Sequence, residues 1–105
     1  MTEQQGKTIE KAAIENYGDM QVVVAIEELS ELQKELTKYL RCKPDPYHIA
    51  EEIADVEIMV EQMKMKFKPC FDKIADNLVG AIKIKKLERL RENMMTEELK
   101  KRKNV

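Results

Sequence analysis

This sequence predicts an all-α fold, an antiparallel bundle of about four principal helices, and three observations carry that expectation. Glycine and proline are scarce, three of each in 105 residues, while Glu, Lys, Leu, Ile and Met abound. Apolar residues recur three and four positions apart over long stretches, the spacing of one helix face. The interruptions fall at Gly18, at Pro44 and Pro46, and at Pro69, where helices end for stereochemical reasons.

Taken in order, Met1 to Lys7 are polar and read as frayed chain. Thr8 reads as the cap of a short helix with Ile9, Ala12, Ala13 and Tyr17 on one side, closed by Gly18. Asp19 can then N-cap a second helix, from Met20 to about Leu40, whose apolar stripe is Val22, Ile26, Leu29, Leu32, Leu36 and Leu40. The breaker Arg41-Cys42-Lys43-Pro44-Asp45 ends with Asp45 as N-cap and Pro46 in the first turn of the third helix. So short a connection makes the two helices antiparallel neighbours. The third helix carries Ile49, Ile53, Val56, Val60, Met63 and Phe67 down one stripe, with Ile58, Met59 and Met65 off it. That second apolar side suits a central helix or a subunit interface. Pro69 marks the next break, and Phe71, Ile74, Leu78 and Ile82 face inward on a fourth helix that continues through Ile84 and Leu87. Its second half is basic. The expected organisation is one all-α domain over residues 1–95 and a basic, flexible tail over 96–105.

Composition narrows the function classes. Charged residues make up 37% of the chain, yet the net charge is only −1, so no stable nucleic-acid binding is expected. No apolar run approaches a membrane span, and no signal-peptide core opens the chain. Cys42 and Cys70 stand far apart without a CxxC pattern, which fits two ordinary thiols in a reduced, cytoplasmic setting.

The informative pattern is acidic. Glu28-Leu29-Ser30-Glu31-Leu32 is echoed by Glu52-Ile53-Ala54-Asp55-Val56: acidic, apolar, small, acidic, apolar. Residues three apart share a helix face, so each segment projects two carboxylates side by side. In an antiparallel pair the equivalent flanks meet, and four anions converge beside the apolar seams. Carboxylates so placed raise one another's pKa unless a cation compensates them. All-oxygen ligands suit Mg²⁺, with Mn²⁺ as the alternative, and such a cation can grip a polyphosphate and activate water. Either pair taken alone is an ordinary solvated helix surface; the matched placement of both is what points to a site. A di-iron centre is not expected, because it needs Glu-x-x-His pairs. The single histidine, His48, has no Glu three residues before it and reads as a surface residue near a helix start, with a ligand or substrate contact as the lesser alternative.

Glu27-Glu28-Leu29-Ser30-Glu31 followed by Glu52-Ile53-Ala54-Asp55 resembles the EExxE…ExxD signature of the MazG-like all-α nucleoside triphosphate pyrophosphohydrolases. The resemblance covers about Met20 to Met65. It implies Mg²⁺-dependent hydrolysis of an NTP or dNTP to the monophosphate and pyrophosphate. Glu28, Glu31, Glu52 and Asp55 would be the metal ligands, with Glu27 either a residue supporting the ligands from behind or a helper that orients the water. It also implies a homodimer or homotetramer with the substrate pocket near the subunit boundary. Lys83, Lys86 and Arg89 on the fourth helix are candidates for the phosphates that one Mg²⁺ leaves unneutralised. No tryptophan is present, and the few Tyr and Phe residues indicate no base preference. The rival reading from another class is a non-catalytic helical interaction or regulatory module.

Overall fold

In the computed structural model, residues 1–103 are described, and four helices account for nearly all of them: α1 Glu3–Tyr17, α2 Met20–Leu40, α3 Pro46–Asp72 and α4 Leu78–Lys103. No strand occurs among the described residues. The all-α expectation holds. The chain divides between Phe67 and Lys68 into two units.

Local chemistry sets the helix ends, not always at the residues expected. Far from fraying, the N-terminus starts α1 with a capping box. Thr2 Oγ1 accepts from Gln5 N–H at 3.1 Å, and Gln5 Oε1 accepts from Thr2 N–H at 2.8 Å, which satisfies two donors that helix geometry leaves orphaned. Thr8 is therefore not a cap; it lies inside α1 and donates its hydroxyl to the Gln4 carbonyl. Gly18 closes α1 as expected, with its N–H bonded to the Ile14 carbonyl. Asp19 holds the N-cap position of α2 but makes no side-chain cap bond. Its carboxylate is drawn instead to Lys66 Nζ, 2.9 Å away on α3. Asp45 does cap α3, its Oδ1 accepting from His48 N–H at 3.1 Å.

Pro69 does not end α3. The helix carries it and closes less than a turn later at Asp72, where a Lys68–Asp72 ion pair of 2.7 Å spans the proline. So near a C-terminus, the lost amide donor removes little of the remaining ladder. Phe71 accordingly belongs to α3, and Ile74 is exposed in the connection before α4. In the second unit α4 runs on through Thr96 to Lys103, with every described residue of that stretch exposed. Its Ile82, Ile84 and Leu87, expected to face inward or follow that face, are exposed as well. Asn104 and Val105 lie outside the described residues.

Within the first unit α2 and α3 run antiparallel, as the short loop requires. Asp19 meets Lys66, Gln21 Nε2 donates to Gln62 Oε1 at 2.6 Å, a Glu28 carboxylate oxygen lies within 4.8 Å of one on Asp55, and Glu35 approaches His48. As α2 advances, its partners on α3 step backwards. The buried residues of the pair are Gln21, Ala25 and Glu35 on one side and Met59 and Gln62 on the other.

That register corrects the expected seam. Apart from Leu32, the expected stripe (Val22, Ile26, Leu29, Leu36, Leu40) lies one residue on from buried Gln21, Ala25 and Glu35 and half-buried Glu28. The stripe Ile53, Val60, Phe67 lies one residue on from Glu52, Met59, Lys66. One residue is about 100° of helix, so both helices turn polar groups into their mutual interface. Amide–amide and ion-pair bonds across the seam hold that orientation. Ile26, Leu29, Leu36, Leu40, Ile53, Val60 and Phe67 are left exposed, while Val22, Leu32, Ile49, Val56 and Met63 are half-buried. Of the residues expected on a second side of α3, Met59 is core at 6% exposure, Met65 is half-buried and Ile58 is exposed.

Gly18 adopts φ 53°, ψ −126°, a conformation costly for any residue with a Cβ although nothing crowds that position. Gly18→Ala should lower unfolding free energy by about 1–3 kcal/mol, read as a reduced midpoint with unchanged slope in urea.

Candidate metal centre

The polar seam brings Glu28 from α2 against Glu52 and Asp55 from α3. The spacing that does this is local: Glu52 and Asp55 are three apart on one helix and share a face. Glu28 reaches them because the antiparallel register sets the middle of α2 against the N-terminal half of α3. Each of the three offers a carboxylate oxygen within 4.8 Å of the others, and they form the one such potential ligand group among the described residues.

The electrostatics of this cluster are those of crowded anions. Glu28 is held above the usual carboxylate range by burial first, then by the charges of Asp55 and Glu52, a hydrogen bond to Asp55, and Glu31. Glu52 is also raised, by burial and by Asp55, Glu31 and Glu35, while His48 pulls it back. Glu52 Oε2 is buried without a hydrogen-bond partner. An unpartnered buried carboxylate oxygen among like charges is a standing electrostatic cost that a cation would remove.

Three of the four expected ligands thus converge. Glu31 stands outside the convergent set, exposed, although its charge reaches both Glu28 and Glu52. Glu27 is exposed next to Glu28. Lys83, Lys86 and Arg89 are exposed on α4, in the second unit.

Two features escaped the sequence reading. The first is Glu35, 5% exposed, whose Oε1 lies 3.1 Å from Lys38 Nζ and 3.5 Å from His48 Nδ1. Its signal was present: it follows Glu31 by four residues, and His48 precedes Glu52 by four, so both continue the acidic faces by one turn. The second is an open groove of about 320 Å³ along α2, lined by Ser30, Gln33, Lys34, Thr37, Lys38 and Arg41. Three of those six are cationic, on the helix that supplies Glu28.

The pH dependence follows from the raised groups. Glu28 and Glu52 bind protons more tightly in the folded chain than at the unfolded value of 4.5. Stability must therefore fall as pH rises from that value through their folded values, because the native state then loses protons it holds preferentially. A bound divalent cation should suppress this loss by favouring the charged forms. Thermal midpoints across this range, with and without MgCl₂, should diverge with increasing pH, and Glu28→Gln should narrow the divergence.

Comparison of the chain with protein-family models, with curated proteins and with solved structures found no match.

Proposed function

We propose that the chain is a Mg²⁺-dependent nucleoside triphosphate pyrophosphohydrolase of the MazG-like kind, converting an NTP or dNTP to the monophosphate and pyrophosphate. The observation that carries the reading is the convergence of Glu28, Glu52 and Asp55 within 4.8 Å between two antiparallel helices. The donor set fits the ion: all oxygen, mutually repelling, with one buried oxygen unpartnered. Mn²⁺ could occupy the same ligands.

Glu28, Glu52 and Asp55 would hold the cation, and Glu31 would add negative charge from outside the set. Bound there, Mg²⁺ supplies polarisation of phosphoryl oxygens and a more acidic water. Water adds across the anhydride joining the α- and β-phosphoryl groups, that P–O bond breaks, and pyrophosphate departs. Glu27, exposed beside Glu28, is the group proposed to orient the water and accept its proton. The triphosphate brings more charge than one cation balances, so lysines and arginines must meet the remainder. Lys83, Lys86 and Arg89 are one supply, and Lys34, Lys38 and Arg41 along the α2 groove are a second, on the same helix as Glu28. The working form is a homodimer or homotetramer in the cytoplasm.

The deciding experiment is release of pyrophosphate from a panel of ribo- and deoxyribonucleoside triphosphates with Mg²⁺ and with EDTA. Metal-dependent release supports the reading. No release from any member, with Mg²⁺ binding intact, would leave a non-catalytic interaction module. Substitution of Lys34 or Lys83 by Met keeps the stem and removes the charge. The lysine that meets the phosphates should show a KM raised about tenfold when changed, more for a triphosphate than a diphosphate, with kcat little altered.

A further inference from the structure

The near-zero net charge of the chain conceals a segregation. The second unit, from Lys68 onward, holds eleven Lys and Arg against six Asp and Glu, a net charge of +5. The first unit holds eight against fourteen, a net charge of −6. In the second unit every residue from Ala81 to Lys103 is exposed. Leu87, Leu90 and Met94 recur three and four positions apart, so they share one side of α4. Lys86 and Arg91 flank that side. Among the described residues Lys83, Lys85, Lys86, Arg89 and Arg91 make no ion pair; those of α4 join Lys100 to Glu97 and Arg102 to Glu98.

The first unit presents the complementary surface. The apolar stripes of α2 and α3 lie one residue beyond their polar seam, about 100° around each helix. In antiparallel helices that face one another, the same advance turns both stripes to the same side of the pair. Ile26, Leu29 and Leu36 of α2 and Ile53 and Val60 of α3 therefore share one exposed face. Glu27 and Glu57, exposed and without an ion pair among the described residues, stand at its outer edges, one position beyond Ile26 and Val56. Such a face calls for an apolar cover with cationic flanks, and α4 carries both. With 26 residues against the 21 of α2, it is long enough to run the length of the face.

We propose that α4 of one copy lies across the α2–α3 face of a second copy, and that the exchange is reciprocal. Leu87, Leu90 and Met94 cover the partner's Ile26, the partner's Leu29 and the partner's Val60. Lys86 and Arg91 meet the partner's Glu27 and the partner's Glu57 across the edges. Each copy gives one helix and receives one, so the assembly closes as a two-fold dimer. The proposal rests on the homo-oligomer of the reading above, whose interface it names, and not on metal binding or hydrolysis.

Sedimentation of the full chain at micromolar concentration, without nucleotide or metal, tests it with two variants, alone and mixed. Leu90→Glu spoils α4 and leaves the face intact; Val60→Glu spoils the face and leaves α4 intact. Both positions are exposed, so the single chain should keep its fold, which circular dichroism checks. Each variant alone should associate at least about 100-fold more weakly than the wild type. An equimolar mixture should recover at least about tenfold over either, because one of the two symmetric contacts survives in the mixed dimer. Wild-type association should also weaken about tenfold between low and high salt, as screened edge charges require. Unchanged association in either variant, or loss in both with no recovery on mixing, overturns the exchange and leaves a homo-oligomer built on another surface. A wild-type chain that stays at 12.3 kDa overturns both.

Discussion

Asp55→Asn should remove Mg²⁺-dependent pyrophosphate release, by at least about 100-fold in kcat/KM, while the metal-free protein melts at the same temperature or higher. Both halves follow from one arrangement. Asp55 faces Glu28 and Glu52 within ligand distance, and its charge heads the neighbouring charges that raise both of them. Replacing the carboxylate by a neutral amide of the same shape relieves that repulsion. It also removes one anionic donor on which a hard cation depends. Glu31→Gln should cost less, because Glu31 acts on the cluster through its field from outside the convergent set. Parental activity in Asp55→Asn would remove this residue from the site. Activity loss together with a lower melting temperature would make its role structural. Calorimetry with Mg²⁺ separates the two, since a ligand lost is an affinity lost.

The second large effect is expected in self-association. Sedimentation at micromolar concentration should show a dimer or larger species, and Ile26→Glu should return the chain towards its 12.3 kDa monomer. Ile26 is 59% exposed, and it belongs to a stripe with Leu29 and Leu36 that points away from the polar seam. On α3, Ile53, Val60 and Phe67 are exposed in the same way. No large side chain among the described residues is fully buried, and a single copy leaves these large apolar side chains in water. Burying one such side chain contributes about 1.5–3 kcal/mol, and a symmetric interface uses each position twice. A single charge there should therefore weaken association more than about 100-fold. A wild-type chain that sediments only at 12.3 kDa would rule the interface out.

Much of this was legible in the sequence because it depends on neighbours along the chain. The spans of α2 and of the start of α3 follow from spacing and from the Gly18 and Asp45–Pro46 signals. Their antiparallel pairing follows from the shortness of the loop. The meeting of Glu28 with Glu52 and Asp55 follows from those two facts. The start of α1 was legible in principle, since Thr2 and Gln5 have capping-box spacing, but Thr8 offered a competing cap nearer the first apolar residues. Pro69 misled because its effect depends on how much helix remains beyond it, and here less than a turn did.

What the sequence by itself determined is therefore the helical class and the antiparallel hairpin, since each follows from periodicity and short-range stereochemistry. The tertiary structure alone decided the rotation of the two helices about their axes. Hydrophobic periodicity locates an apolar stripe but does not say what covers it. The Gln21–Gln62 bond and the Asp19–Lys66 and Glu35–His48 pairs join residues remote in the chain, and they turn each helix by about one residue. That rotation puts Glu28 and Glu52 in the seam instead of beside it, leaves Glu31 outside, and encloses Glu35. Burial then gives these carboxylates properties that no spacing rule contains, because the energy of a charge is set by what surrounds it in space.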